Sequence, residues 1–363
     1  MAKNQYTKDL MRWYYSMEEK YPNLDNPKTF NEKLQWLKLY DATPLKTRLA
    51  DKYLVRDWIK EKIGEEYLVP LLGVYDKFDD IDFDKLPDQF VMKCNHGSGW
   101  NIIVKDKSKL DIVDAKQKMD LWMASNFMNE AGYELHYRDI KPKIIIEKFL
   151  DEISDSLYDY RFFCCNGKVI QIWLDIYSGT PYHKRKIYDR DWNELDIVVK
   201  WPRLQTEIMK PKNLDEMIKL SEVMSTAFSM VRVDFYNINE KIYFGEMTFS
   251  SMSGMGVFSP KIEDYNLGKK ITLPEKAYDL DTKEYYKLPK NYHKKIQKKI
   301  LEEGSVCFKL FNILPILKIK EDMFVKIYSF LGLPLLKRRI ISKGKTVKYS
   351  ILGFPVLKVS KKL

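Results

Sequence analysis

The chain has 363 residues, 45% hydrophobic and 14% aromatic, enough for two or three domains with real cores, which excludes a disordered chain. Four cysteines (Cys94, Cys164, Cys165, Cys307) form neither a disulfide framework nor a zinc spacing, which points to a reducing cytoplasm. The first residues lack an apolar signal region and no run of about eighteen apolar residues occurs, so no spanning helix is expected.

The net charge of +11 is uneven: residues 301–363 hold 13 Lys/Arg against 4 Asp/Glu, a net of +9, leaving +2 for the first 300. Residues 1–62 read as helical. Thr29 and Glu32 make a capping-box pattern before Leu34, Trp36, Leu37 and Tyr40. A second helix fits 46–62, stopped by Gly64. Strands are expected at 68–74, 89–94 and 101–105, then a helix near 112–131 and an apolar strand at 143–149. Strands at 159–165 and 168–175 flank Asn166-Gly167, a strong type I′ hairpin signal. A helix over 213–228 leads into a hairpin turned by Asn237, Asn239 and Glu240. The class is α+β, with antiparallel pairs rather than alternating βαβ units. From about residue 283 the chain turns basic and carries a degenerate repeat. Its units are 312–320, 331–339 and 352–360, with Pro315, Pro334 and Pro355 spaced 19 and 21 residues apart. Proline disfavours a continuous helix through each unit.

The hairpin at 231–248 carries the most chemistry. Asp234 and Glu246 are expected to face each other across its ladder, two hard carboxylates suited to Mg²⁺ completed by nucleotide phosphates and water. Arg232 lies two residues before the acid, placed to stabilise a charged intermediate or simply to pair with it. Gln89–Val104 reads strand, glycine loop, strand. Gly97, Ser98 and Gly99 let the backbone approach phosphates, and Lys93 adds a charge; an ordinary hairpin fits the same letters. The loop is not a Walker A motif. Glu147, Lys148, Phe149 and Leu150 end an apolar strand, and such an end either is a buried strand with a polar terminus, the commoner case in isolation, or offers adenine an apolar slot and a backbone edge. Asp159 and Arg161 share a strand face, so Arg161 either pairs with Asp159 or holds a substrate carboxylate or phosphate. Small residues around Ser253-Gly254 either present backbone donors to an oxyanion or form a surface loop.

In this order the segments resemble the ATP-grasp superfamily: a Lys before a glycine-rich phosphate loop, a Glu-Lys-aromatic-Leu hinge, an Asp-x-Arg strand, and an Arg-x-Asp strand followed twelve residues after its Asp by Glu-x-Asn. Here these are Lys93, Gly97-Ser98-Gly99, Glu147-Lys148-Phe149-Leu150, Asp159-Tyr160-Arg161, Arg232-Val233-Asp234 and Glu246-Met247-Thr248. Thr248 departs, standing where most members carry a metal-binding Asn. A nearer likeness is to the teichuronopeptide-biosynthesis-type ATP-grasp family of bacterial surface-polysaccharide loci. It is carried by Thr29-Phe-Asn-Glu-Lys-Leu34, Ala50-Asp-Lys-Tyr53, Leu71-Leu-Gly-Val-Tyr75 and Cys94-Asn-His-Gly-Ser-Gly99, and covers roughly 25–275.

The resemblance implies a fold of two α+β subdomains clasping ATP, with a helical region at 1–65, a lid subdomain at 66–150, a core subdomain with the Mg²⁺ site at 151–290 and a basic repeat tail at 291–363. It implies an ATP-dependent carboxylate–amine ligase working through an acyl phosphate, with ATP and Mg²⁺ as cofactors. Lys93 and Lys148 are then phosphate ligands, with Gly97, Ser98 and Gly99. Glu147, Phe149 and Leu150 line the adenine site. Asp234, Glu246 and Thr248 hold the metal. Arg232, Arg161 and Gly254 serve the reacting groups. The implied substrate is a sugar or amino-acid carboxylate on a lipid-linked glycan. A glycosyltransferase using a nucleotide sugar, a label this family sometimes bears, and a non-catalytic glycan-binding scaffold are the alternatives. Two places fit the tail equally: an anionic inner membrane surface, or small strands on the body with lysines facing water. The expected location is cytoplasmic, peripheral at the inner membrane face under the first. No nucleic-acid-binding motif is present.

Overall fold

The computed structural model describes residues 3–130, 132–150 and 158–276, together with the backbone of six strands between 305 and 360. The chain divides into two compact units, 1–284 and 285–363. Four helices open the first: α1 (Lys3–Glu18), α2 (Phe30–Tyr40), α3 (Pro44–Ala50) and α4 (Val55–Lys62). The capping box closes as expected. Thr29 Oγ1 accepts from the Glu32 amide at 3.2 Å, and Glu32 Oε2 accepts from the Thr29 amide at 3.3 Å. The single helix expected over 46–62 is two. Asp51 Oδ1 accepts from the amides of Tyr53 (2.8 Å) and Leu54 (3.2 Å), and this local side-chain turn competes with the helical ladder.

The first sheet holds β1 (Leu71–Tyr75), β2 (Phe90–Cys94), β3 (Asn101–Val104) and, after α5 (Ile112–Ala124) and α6 (Phe127–Glu130), β4 (Ile144–Lys148), in the order β1-β4-β2-β3. The expected helix at 112–131 also splits, because Asn126 Oδ1 accepts from the Met128 amide at 3.1 Å and starts a new turn. Phe90, Met92, Cys94, Ile144, Ile146, Ala115 and Met119 form this sheet's own core.

The second sheet gathers β5 (Asp159–Cys165), β6 (Lys168–Ile176) and β7 (Lys184–Tyr188), then, beyond the short β8 (Val198–Val199) and α7 (Leu214–Ser225), β9 (Met230–Ile238) and β10 (Lys241–Thr248), in the antiparallel order β10-β9-β5-β6-β7. β11 (Phe258–Ser259) pairs with β8, and α8 (Ile262–Lys269) follows. Asn166 and Gly167 turn the β5–β6 hairpin at φ 50° and 77°, as expected of a type I′ turn. Asn239 and Glu240 turn β9 into β10 at φ 50° and 64°. Asn237, expected in that turn, stays in the ladder opposite Ile242 and exchanges side-chain hydrogen bonds with Asn213 at 3.0 and 2.8 Å.

Alternation gives this sheet two unlike faces. Phe162, Cys164, Ile172, Leu174, Val231, Val233 and Phe235 point into a core closed by Leu214, Met217 and Met224 of α7. Each such burial is worth about 1.5–3 kcal/mol. The opposite face carries the ionisable residues.

In the second unit six strands, β12 (Ser305–Leu310), β13 (Leu314–Glu321), β14 (Val325–Phe330), β15 (Leu333–Ile341), β16 (Thr346–Ile351) and β17 (Phe354–Ser360), form an antiparallel meander in chain order. Each repeat supplies the second strand of a hairpin. The register slips beside each repeat's proline, where Pro315, Pro334 and Pro355 face Lys309, Ser329 and Ser350, as a residue without a ladder donor dictates. The first two residues of each repeat lie outside the described residues.

Candidate functional site

The charged face is built on β9 and β10. Asp234 stands opposite Glu246, so both carboxylates rise on one side of the ribbon, as expected. A one-residue bulge at Gly245 makes this possible. A Cβ there would stand 3.1 Å from the Asp234 carbonyl oxygen. The Arg232 guanidinium grips Asp234 with both prongs, Nε to Oδ1 at 2.7 Å and Nη2 to Oδ2 at 2.6 Å, and also donates to Glu246 Oε1 at 2.9 Å and Ser251 Oγ at 3.2 Å. Thr248 Oγ1 donates to the same Glu246 oxygen at 3.0 Å, so this hydroxyl orients the acid. Burial pushes Glu246 up, but the charges of Lys52, Arg232 and Arg161 outweigh it and hold its pKa at about 2. Asp234 is raised by burial to about 6, against the pull of Arg232 and Arg161.

The network continues across the sheet. Arg161 Nη2 donates to Asp159 Oδ2 at 3.0 Å. Its Nε lies 3.1 Å from Asp175 Oδ2 and 3.9 Å from Asp234 Oδ2, close enough for ion pairing but without hydrogen-bond geometry. Asp175, fully buried, takes both prongs of Arg185 and lies 3.2 Å from His183 Nε2. Burial opposes its charge, yet Arg161, Arg185 and His183 hold its pKa below the usual carboxylate range.

On the first sheet, Lys93 Nζ donates to Glu147 Oε2 at 2.6 Å, and Arg56 Nη1 to Glu147 Oε1 at 3.0 Å. Glu147 is thus buried with both oxygens engaged, while Lys148 is exposed and Phe149 and Leu150 are half-buried beyond the strand end. Ser98 and Gly99 stand exposed in the turn, Gly99 at φ 73°, and Gly97 is buried against Trp100. His96 hydrogen-bonds Asn95 Oδ1 (3.2 Å) and the Trp122 carbonyl (3.1 Å), so it shapes the turn. The two sheets share one electrostatic neighbourhood: Tyr236 is pushed well above its ordinary pKa by burial, then by Asp159, Glu246, Asp234 and Glu147.

The loop after β10 is a packed element, not a surface loop. Gly254, at φ 66°, is buried, and its carbonyl accepts from Gln35 Nε2 at 2.9 Å, as does that of Ser253 at 3.0 Å. The amides of Ser253 and Met255 donate within the loop's own turns.

Sequence reasoning missed four participants. Lys52 donates to the Gly97 carbonyl. Asp175 and Arg185 form the buried pair just described. Lys38, fully buried on α2, donates to the carbonyls of Gly132 (2.7 Å) and Ser253 (3.0 Å); burial lowers its pKa to about 7, against Glu134. Lys52 sits in Ala50-Asp-Lys-Tyr53, a segment noticed as a signature but given no chemistry.

The donor set fits a divalent cation. Two hard carboxylates stand on adjacent strands, and no group of three His, Cys, Asp or Glu residues suited to a metal occurs among the described residues. Mg²⁺ uses such a partial site, taking its remaining ligands from phosphate and water.

Among solved structures, D-alanine–D-alanine ligase from Bacillus anthracis complexed with ATP is similar at 17% identity and a TM-score of 0.32, over 56% of this chain and 54% of that one. This chain therefore spans about half of that structure's length. A second structure of the same ligase gives 18%, 0.37, 62% and 67%. D-alanyl-alanine synthetase A from Vibrio cholerae O1 biovar eltor gives 12%, 0.35, 66% and 62%. No curated protein matches the sequence. A family model described as TupA-like ATPgrasp matches residues 32–272.

Proposed function

The chain belongs to the TupA-like ATP-grasp family, and on that premise we propose that it is an ATP-dependent carboxylate–amine ligase. A substrate carboxylate oxygen bonds to the γ-phosphorus of ATP as the bond to ADP breaks, leaving an acyl phosphate. An amine nitrogen then bonds to the acyl carbon, inorganic phosphate leaves with the C–O electron pair, and the amine gives up a proton. The protein's part in such chemistry is positioning and charge neutralisation.

The observation that carries this reading is the cross-strand set Arg232, Asp234 and Glu246 on one face of the hairpin. Asp234 and Glu246, with Thr248 orienting the latter, would hold Mg²⁺. Bound there, the cation would supply charge neutralisation for the phosphates. Lys93, the Gly97–Gly99 turn and Lys148 would hold phosphates, and Glu147, Phe149 and Leu150 the nucleoside. Arg232 would stabilise the transferring group. Arg161, half-open beside Asp159 and Asp175, would orient the substrate carboxylate. Gly254 would help shape the reacting end of the pocket through its loop's contact with α2.

The substrate class that goes with the polysaccharide-locus resemblance is a uronic or amino acid joined to a lipid-linked glycan. The tail would then lie on the anionic inner face of the membrane. In its support, the register sets Lys348 opposite both Arg339 and Lys358, and like charges directly opposite destabilise a sheet unless an anion answers them. Among the described residues no helix is long and apolar enough to cross a membrane.

Thermal unfolding tests the ligase reading. Mg²⁺-ATP at a hundred times its Kd is expected to stabilise the protein by about 2.7 kcal/mol, seen as a rise in Tm of several degrees. Stabilisation by a UDP-sugar and not by Mg²⁺-ATP would overturn it.

A further inference from the structure

We propose that Lys200, on the turn after β8, is a specificity residue that takes an oxyanion of the substrate, a carboxylate or a phosphate, at the Asp175 end of the charged face; this rests on the ligase reading above, in which Arg161 meets the substrate.

Lys200 stands in a conformation that lysine rarely adopts. Its φ is 61°, in the left-handed region where glycine or asparagine fits at lower cost. The turn is closed by the Trp201 amide, which donates to the Val199 carbonyl at 2.6 Å. Both of its sides are anchored. Val199 pairs with Phe258 of β11, and its carbonyl also accepts from Arg185 Nη1 at 3.3 Å. Beyond the turn, the Arg185 amide donates to the Pro202 carbonyl at 3.0 Å and the Leu204 amide to the Arg185 carbonyl at 2.9 Å. Strain of this kind persists only where its surroundings over-determine it, and it gathers at functional sites. Here it holds an ammonium in place.

No acid among the described residues pairs with that ammonium. It lies 4.9 Å from the centre of the Trp201 ring, and among the described residues it makes no hydrogen bond and no ion pair. Partial burial, then Arg185 and Arg161, lower its pKa against the pull of Asp175. The two acids at this end are already engaged. Asp159 accepts from Arg161 and Ser178, and Asp175 takes both prongs of Arg185. Spare donors remain. Arg161 Nη1 bonds nothing among the described residues. His183, only 6% exposed, stacks on Trp201 with ring centres 4.3 Å apart, turns Nε2 to Asp175 and leaves Nδ1 unbonded among the described residues. Lys200 itself is exposed, so the group is open to a ligand. Neighbouring cations with no acid left for one of them are unfavourable without an anion. A carboxylate or phosphate oxygen accepts charge-assisted hydrogen bonds from such donors.

Calorimetry in the presence of Mg²⁺-ADP compares D-glucuronate, D-glucose 1-phosphate and neutral D-glucose on wild type, Lys200→Met and Lys200→Arg. At least one of the two anions is expected to bind wild type well ahead of D-glucose, and the tighter of them identifies the group as carboxylate or phosphate. A lost charge-assisted hydrogen bond weakens binding about tenfold or more, so Lys200→Met is expected to lose that factor, with Lys200→Arg recovering most of it. Neither anion binding wild type ahead of D-glucose, or equal affinities in wild type and Lys200→Met, would overturn the assignment. The ligase reading would then still stand if Mg²⁺-ATP stabilises the protein, and would fall only if it does not. If Lys200→Met does not fold, amine acylation of the wild-type protein read by mass spectrometry decides: the saturating anion is expected to slow acylation of Lys200 and D-glucose is not, and equal rates overturn the assignment.

Discussion

The five-stranded sheet of the body and the six-stranded sheet of the tail handle charge in opposite ways. In the body, cation meets anion across or along the ladder: Arg232 on Asp234 and Glu246, Arg161 on Asp159, Arg185 on Asp175. In the tail, the register puts Arg339, Lys348 and Lys358 in one row across three adjacent strands, while Lys326 stands between Arg338 on one side and Glu321 on the other. Internal pairing sets an acid beside each of these cations within the body's own sheet. Among the described residues, the row Arg339, Lys348 and Lys358 has no acid opposite it in the ladder. Net charge alone, +2 for the first 300 residues and +9 for the rest, hints at this division but does not reveal the pairing.

Three changes sharpen the contrast, taken from the largest effect down. Glu246→Gln keeps an oxygen for Arg232 and Thr248 but removes the negative charge from the proposed metal site. Turnover of ATP is expected to fall by about a thousandfold or more, as for loss of a major electrostatic group, with Tm nearly unchanged. Glycan assembly in cells that stays normal with this variant would favour a non-catalytic scaffold. Asp175→Asn leaves Arg185 and Arg161 without their shared anion. Breaking a buried pair from one side costs about 3–5 kcal/mol, so urea unfolding should shift by that amount, and a loss below about 1 kcal/mol would mean the network is solvated after all. Lys348→Gln relieves the row of like charges. Stability should hold or rise slightly, while affinity for anionic liposomes drops by about 1 kcal/mol, read by sedimentation at low salt. Unaltered liposome binding, in this variant and in a chain lacking 301–363, would remove the membrane role.

Much of the body was legible because its signals are local. Period-two alternation and positive-φ turn residues located β5, β6, β9 and β10, and a capping box located α2. The helix breaks at Asp51 and Asn126 were missed because each rests on one side chain bonding backbone amides two or three residues on, which in sequence is one polar letter in a helical pattern. The Asp175–Arg185 pair was hidden for another reason. Its partners sit ten residues apart on neighbouring strands, and only strand register brings them together. Lys52 needed tertiary knowledge, since its acceptor lies 45 residues away. In the tail the prolines were visible as a repeat, but the ladder slips beside them appear only with the strand pairing.

The extra residue at Gly245 carries a lesson about insertions and deletions. With a two-residue turn, a regular hairpin would set opposite Asp234 the residue eleven positions later, which is Gly245, and would send Glu246 to the side that packs on α7. The twelve-residue interval is therefore a count of rungs plus one. Regularising the ladder while keeping that interval would rotate the second acid off the charged face and into hydrocarbon without altering either carboxylate. Sequences that keep both acids at a spacing of eleven would present the same pair of oxygens from a regular ladder, with no irregular rung between them.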